Sequence, residues 1–249
     1  MTYPPGASPD LFLPIFIGIS ILVGFSKSGI PGVGILQVPL IALAVGDARA
    51  SLGWLLPILI YGDVFAILFY RQHAQWKKIA ELLPWIGLGL LAGWQGLRLI
   101  RPEIFGPMLG GLILSMVFID VLRRRMNSDQ WEKHPVIAVF VGILTGFSTT
   151  VGNAAGPVMN IYLVFRGFNK TAFLGSMGWL FLIINTLKIP IYSLENVLGI
   201  DSFLSTLWMI PAVALGAFTG RWIQPKIPQE TFNCIVIILT VIAAIKLFL

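Results

Sequence analysis

The stretch Gly24-Phe25-Ser26-Lys27-Ser28-Gly29-Ile30-Pro31-Gly32 interrupts an otherwise apolar sequence with serines, a lysine, glycines and a proline. It separates the apolar runs 11–26 and 31–46. Each run would be about 24 Å long as a helix, whereas crossing the hydrocarbon core of a bilayer takes about 30 Å. Pro31 lacks a backbone N–H and disfavours helical geometry at the preceding residue. The stretch therefore predicts two short helices joined by a break.

A second break of the same kind is predicted at Thr149-Thr150-Val151-Gly152-Asn153, between the apolar runs 135–150 and 154–166. A shift of 122 residues aligns Gly24-Phe25-Ser26 with Gly146-Phe147-Ser148. Identities between the two stretches cluster at the breaks, which favours an internal repeat.

The same shift aligns Asp63 with Asn185, and a shift of 127 aligns Gly89 and Gly93 with Gly216 and Gly220. We therefore predict two halves, 1–126 and 127–249, that together form one transmembrane transport domain.

Composition favours a membrane protein. Hydrophobic residues make up 57% of the 249-residue chain and charged residues 11%, against about 25% charged residues in soluble domains. The sequence predicts an all-α polytopic membrane protein in which each half has one broken helix pair and three full transmembrane helices. The expected apolar runs lie at 11–26, 31–46, 51–70, 79–97, 104–122, 135–150, 154–166, 172–193, 203–222 and 231–249.

The distribution of basic residues predicts the orientation of the halves. If each broken pair makes a net return, as a re-entrant hairpin or as two short crossings, eleven basic residues fall on one side and four on the other. The four are Arg49, Arg98, Arg101 and Lys246. The excess of Lys and Arg in cytoplasmic loops places both termini outside the cytoplasm. It also makes the halves inverted repeats, in which matching broken segments point to a transporter's binding site.

The breaks are predicted to line an interior site for an anion. Irregular backbone at membrane depth is tolerated where it lines a cavity or is buried in protein. The helices that resume after each break offer free N–H groups, as at Gly32, Val33 and Gly34, and helix N-termini bind anions. The candidate substrate-binding residues are Ser26, Lys27, Ser28, Gly29, Gly32, Gly34, Ser148, Thr149, Thr150, Gly152, Asn153 and Ala154.

Three further residues are candidates for coupling or gating: Asp63, Asn185 and Lys188. Lys27 is interpreted as a counter-charge for the anion, with capping of the first half-helix as the alternative. Asp63 is either a proton carrier or a partner of Lys27 or of exposed backbone. Lys188 either snorkels toward an interface, which we favour, or contacts the substrate.

Two amide side chains, and motifs that the sequence lacks, complete the site prediction. Gln37 and Asn160 are expected to form helix–helix hydrogen bonds. No metal or nucleotide motif is found, so no cofactor is expected. Residues 1–10 lack a basic n-region, so no cleavable signal peptide is expected.

Both breaks resemble the signatures of the TauE/SafE sulfite exporter family. The resemblance rests on 24–34, on Asp47-Ala48-Arg49-Ala50-Ser51 and on 146–159, and it extends from about residue 10 to 249. It implies export or permeation of sulfite, of sulfonates such as sulfoacetate, or of other small organic anions across a bacterial inner membrane.

The leading hypothesis is a secondary carrier or facilitator of small anions, with its site at midplane between the two breaks. Its expected partners are the anion and the lipid bilayer, without nucleic acid, and the hypothesis leaves room for a homodimer. The alternatives are a structural or assembly membrane protein and an intramembrane enzyme. Tyr61-Gly62-Asp63 superficially fits an aspartyl protease, but that chemistry needs a second carboxylate and the aligned residue is Asn185.

Overall fold

The structure is a computed structural model that describes residues 9–99 and 135–246. These residues form ten α-helices and contain no strand. The α-helices are α1 (Pro9–Ser28), α2 (Gln37–Val45), α3 (Ala48–Tyr70), α4 (Trp76–Leu99), α5 (Pro135–Gly152), α6 (Ala155–Phe165), α7 (Lys170–Leu194), α8 (Ile200–Thr206), α9 (Ile210–Ile223) and α10 (Gln229–Lys246). Short 3₁₀-helices cover Pro31–Leu36, Arg71–His73, Leu207–Met209 and Gln224–Lys226.

Three segments of the described chain are long and apolar enough to cross a bilayer: 49–73, 170–194 and 200–226. Large apolar side chains point outward from the helices, including Leu68, which is 61% exposed, and Phe218, which is 58% exposed. Such side chains suit a surface that faces lipid rather than water. The all-helical prediction is therefore confirmed for the described part, whereas the predicted span at 104–122 lies outside it.

Helices α3 and α7 begin with the same kind of side-chain cap. Asp47 Oδ1 accepts a hydrogen bond of 2.6 Å from the backbone N–H of Ala50 at the start of α3. Asn169 Oδ1 accepts one of 2.8 Å from Ala172 at the start of α7. Each cap satisfies a backbone donor that the helix itself cannot satisfy.

Helices α3 and α7 pack against each other, α1 packs against α3 and α9, and α4 packs against α5. The 3₁₀-helix Pro31–Leu36 lies against α6, so the segments that follow the two breaks are neighbours.

Glycines let two further helix pairs approach to backbone contact. A Cβ atom on Gly24 of α1 would overlap the backbone oxygen of Val213 in α9, and one on Gly216 would overlap that of Ile21. Between α4 and α5, a Cβ on Gly89 would overlap the backbone oxygen of Ile143. Small residues at such interfaces are how membrane helices gain close packing. Helix α1 is thereby bound to α9 and α5 to α4, so elements distant in sequence hold each other.

Candidate functional site

The first break is shorter than the sequence predicts. Helix α1 continues through Ser28, so Ser26, Lys27 and Ser28 belong to its last turn. The chain then turns through Ile30, whose backbone is extended (φ −120°, ψ 99°), as expected for a residue before proline. Ser26 Oγ donates a hydrogen bond of 3.0 Å to the carbonyl oxygen of Pro31. The side chain that was expected to face an anion therefore bridges the two sides of the break.

The resumption of helix after the first break also differs from the prediction. It begins as a 3₁₀-helix, in which the N–H of Val33 donates to the carbonyl of Ile30 at 3.3 Å. A Cβ on Gly32 would press on the side chain of Leu239, and one on Gly29 would press on the backbone of Gly220. These two glycines serve helix packing.

The second break is made by one residue with a left-handed backbone conformation. Helix α5 continues through Gly152, and Asn153 has a positive φ of 50°, a conformation that asparagine tolerates better than most residues. The N–H of Asn153 donates to Thr149 at 3.0 Å, and that of Ala154 donates to Ser148 at 3.3 Å. Helix α6 then starts at Ala155 without a side-chain cap.

Lys27 forms an ion pair inside the protein. Its Nζ lies 2.6 Å from Asp63 Oδ1, and Asp63 is fully buried while Lys27 is 16% exposed. Asn185 Nδ2 donates a hydrogen bond of 2.7 Å to the other carboxylate oxygen of Asp63. The Lys27 ammonium also lies 4.3 Å from the ring centroid of Phe181. Of the roles considered for Asp63, pairing with Lys27 is the one observed.

Lys188 does not reach an interface, so the snorkelling interpretation is wrong. Its side chain is fully buried in α7, and Nζ donates to the carbonyl of Thr149 at 3.2 Å and to the hydroxyl of Thr149 at 3.1 Å. A third hydrogen bond goes to Asn153 Oδ1. Three acceptors match the three donors of an ammonium group. Among the described residues, no carboxylate forms an ion pair with Lys188.

Two buried tyrosines that the sequence analysis overlooked complete the breaks. The hydroxyl of Tyr70 donates to the carbonyl of Ser28 at 2.8 Å, and that of Tyr192 donates to the carbonyl of Thr150 at 2.8 Å. Both hydroxyls satisfy carbonyls that a helix end leaves free. The sequence could have pointed to both tyrosines, because Tyr70 and Tyr192 are separated by the same 122 residues as the breaks.

The remaining predicted hydroxyls mostly satisfy the backbone. Ser148 Oγ donates to Thr145, and Thr150 Oγ1 donates to Gly146 at 2.8 Å. Both bonds lie within α5, which explains why these polar residues continue the helix. Of the predicted set at the second break, the structure thus brings Thr149 and Asn153 to a charged group.

Several buried polar atoms on the helices beside the breaks have no hydrogen-bond partner within the described residues. Among them, Gln37 Nε2 and Asn160 Oδ1 do not make the helix–helix bonds expected of them. Buried polar groups are normally bonded, so such atoms leave capacity for a polar ligand. They are Ser28 Oγ, Gln37 Nε2, Thr145 Oγ1, Asn160 Oδ1 and Asn185 Oδ1.

A second ion cluster joins residues of three helices. Glu195, just after α7, lies 2.5 Å from Arg98 and 3.2 Å from Arg49, and Trp94 Nε1 donates to it at 2.6 Å. Hydrogen bonds from Arg98 and Trp94 hold the pKa of Glu195 below its usual range. Because the arginines are half-exposed, salt screens these contacts.

Comparison with known proteins gives one match. The family model described as Sulfite exporter TauE/SafE matches residues 16–247. No curated protein and no solved structure matches the chain.

Proposed function

Since this chain belongs to the sulfite exporter TauE/SafE family, we propose that it exports small anions of the sulfite and sulfonate class through a site at its two helix breaks. Members of the family are membrane transporters and not enzymes, so the chain is a multi-pass transmembrane transporter. Export of an anion from a negative interior runs downhill by about 2.3 kcal/mol per charge per 100 mV. A secondary carrier or facilitator therefore needs no coupling ion for this direction.

The observation that carries the proposal is the environment of Lys188. A buried charge is costly unless an opposite charge compensates it. The hydrogen-bond partners of Lys188 are neutral: Thr149 and Asn153. An anion that replaces some of these acceptors would supply the missing charge. We therefore place the substrate at Lys188, against the second break.

The backbone beside Lys188 supports the same placement. Asn153 links Lys188 to the backbone of α3. Its side-chain oxygen accepts a hydrogen bond from Lys188, and its side-chain amide nitrogen donates to the carbonyl of Leu52 at 3.3 Å. Helix α6 begins two residues after Asn153, at Ala155, and has no side-chain cap. The uncapped N–H groups and the positive end of the helix dipole both favour an anion here.

Lys27 takes a different part in this proposal from the one that the sequence suggested. Its charge is compensated by Asp63, so the primary counter-charge is assigned to Lys188. Lys27 and Asp63 lie beside the anion and adjust the charge around it. The remaining predicted residues give the two breaks their shape: Ser26, Ser28, Gly34, Ser148, Thr150, Gly152 and Ala154.

We propose that residues 1–126 and 127–249 are inverted repeats related by a pseudo-two-fold axis. The equivalent caps of α3 and α7 support this proposal, as do the equivalent bonds of Tyr70 and Tyr192. The contact between Asp63 and Asn185, which are separated by 122 residues, is what an axis passing between them would produce. In transporters with inverted repeats, the site lies where the repeats meet.

The proposed topology places both termini outside the cytoplasm and is testable. A reporter that is active only in the cytoplasm, fused after Leu249, is expected to be inactive, since eleven of fifteen loop and terminal basic residues fall on the opposite side. The same reporter fused after Arg166 is the matched control and is expected to be active. An active reporter at the C-terminus would overturn the orientation.

Transport from this arrangement requires motion. Asp63 and Lys188 are fully buried, so an anion reaches them only when the helices around the breaks separate. Opening toward one side and then the other would move the anion across, as in other transporters built from inverted halves.

The function is tested with the purified full chain in liposomes. Under an outward sulfite gradient, we expect radiolabelled sulfite flux well above that of protein-free liposomes, with sulfoacetate, thiosulfate and acetate as competitors that rank the substrates. Flux equal to that of protein-free liposomes, for sulfite and for every competitor tested directly, would contradict the proposal.

A further inference from the structure

Two lysines and one carboxylate lie on the helices beside the breaks. Asp63 pairs with Lys27, and the Nζ of Lys188 faces three acceptors, which is the pattern that an ammonium group needs. Asn185, which holds Asp63, precedes Lys188 by one turn of α7. With all three groups ionised, the cluster has a net charge of +1.

The contacts of Asp63 fit its ionised form. One carboxylate oxygen faces the Lys27 ammonium at 2.6 Å, and the other accepts from Asn185 Nδ2 at 2.7 Å. Both neighbours donate. A protonated carboxyl would need an acceptor for its own hydrogen, and neither of these two atoms is one.

We infer that Asp63 sets the charge of the anion that this site accepts, so that the cluster selects a monoanion, such as hydrogen sulfite or a sulfonate, over a dianion. The inference rests on the proposed function, because it concerns the same site. A monoanion brings the buried cluster to neutrality, whereas a dianion leaves one negative charge uncompensated. Uncompensated charge in a water-excluded site is strongly unfavourable.

Asp63→Asn separates this role from a structural one. The amide keeps the shape of the side chain while removing its charge, so the net charge of the cluster becomes +2. The double variant Lys27→Met/Asp63→Asn returns the net charge to +1 although the ion pair is gone. A structural role for Asp63 predicts no such recovery.

The experiment measures binding of two probes of similar tetrahedral shape to the purified full chain, by ligand-induced thermal stabilisation. Methanesulfonate is the monoanion and sulfate the dianion. For wild type, we expect methanesulfonate to bind at least about tenfold more tightly than sulfate. In Asp63→Asn, the ratio of the two affinities should shift toward sulfate by at least about tenfold, and the double variant should restore the wild-type ratio.

Several outcomes would overturn the inference: no binding of either probe to wild type, a ratio in Asp63→Asn within twofold of wild type, or a double variant that behaves like Asp63→Asn. If Asp63→Asn does not fold, Lys27→Met, with a net charge of zero, is compared with the double variant. It should then bind methanesulfonate at least about tenfold more weakly than the double variant, and equal binding would overturn the inference.

Sulfite flux is measured separately. Absent flux with the expected binding ratios would reject the proposed function and leave the charge rule intact.

Discussion

Replacing Lys188 by methionine is expected to lower sulfite flux in liposomes by at least about 100-fold, because the substituted side chain fills similar space but has no charge. The variant removes the proposed counter-charge of the anion. It also leaves the carbonyl and hydroxyl of Thr149 and the side-chain oxygen of Asn153 without their donor. The measurement is the initial rate of radiolabelled sulfite efflux at equal protein incorporation.

The matched control is Lys226→Met. Lys226 is an exposed lysine whose ammonium group packs over the ring of Trp222. It should transport like wild type, because loss of one exposed positive charge leaves the site unchanged. Wild-type flux in Lys188→Met would remove Lys188 from the site and with it the observation on which the proposed function rests.

Gly89→Leu is expected to prevent the protein from assembling. A Cβ at Gly89 would overlap the backbone oxygen of Ile143, so α4 and α5 would have to move apart along their shared face. Overpacking of a close interface typically costs about 1–3 kcal/mol, and an overlap with backbone lies at or above about 3 kcal/mol because neither atom has a rotamer to adopt. The measurement is the yield of monodisperse protein after detergent extraction, together with its melting temperature.

Gly87→Leu supplies the control on the same helix. A Cβ at Gly87 meets no atom within 4 Å, so the substitution replaces a poor helix former at an open position. We expect a yield close to wild type. If the two variants assembled equally well, the close approach of α4 to α5 would be contradicted.

The two breaks could be predicted because glycine, together with proline or clustered hydroxyl residues, weakens a helix within an apolar sequence. The helix ends were harder to predict. Ser148 and Thr150 look like loop residues, yet their hydroxyls bond to carbonyls of their own helix and prolong it. One-dimensional patterns do not show whether a hydroxyl finds a partner within its own turn.

The partners of the two lysines cannot be assigned from sequence either. The sequence raises Asp63 as a partner of Lys27 but does not decide between this pair and a substrate contact, because Asp63 lies in another helix. It favours an interface for Lys188 because the long side chain of a lysine can keep its charged end at an interface while its stem stays in an apolar environment. The burial of Lys188 follows from the packing of α7 against neighbouring helices, which periodicity does not reveal.

The glycine contacts of α1 with α9, and of α5 with α4, have a consequence for biosynthesis. The surface that receives α1 belongs to α9, which the ribosome makes well after α1. Helix α1 therefore enters the membrane before its docking partner exists. Until then its glycine face has only lipid or the insertion machinery against it. Helices α1 and α4 cannot complete their packing until α9 and α5, which follow them in the chain, have been made.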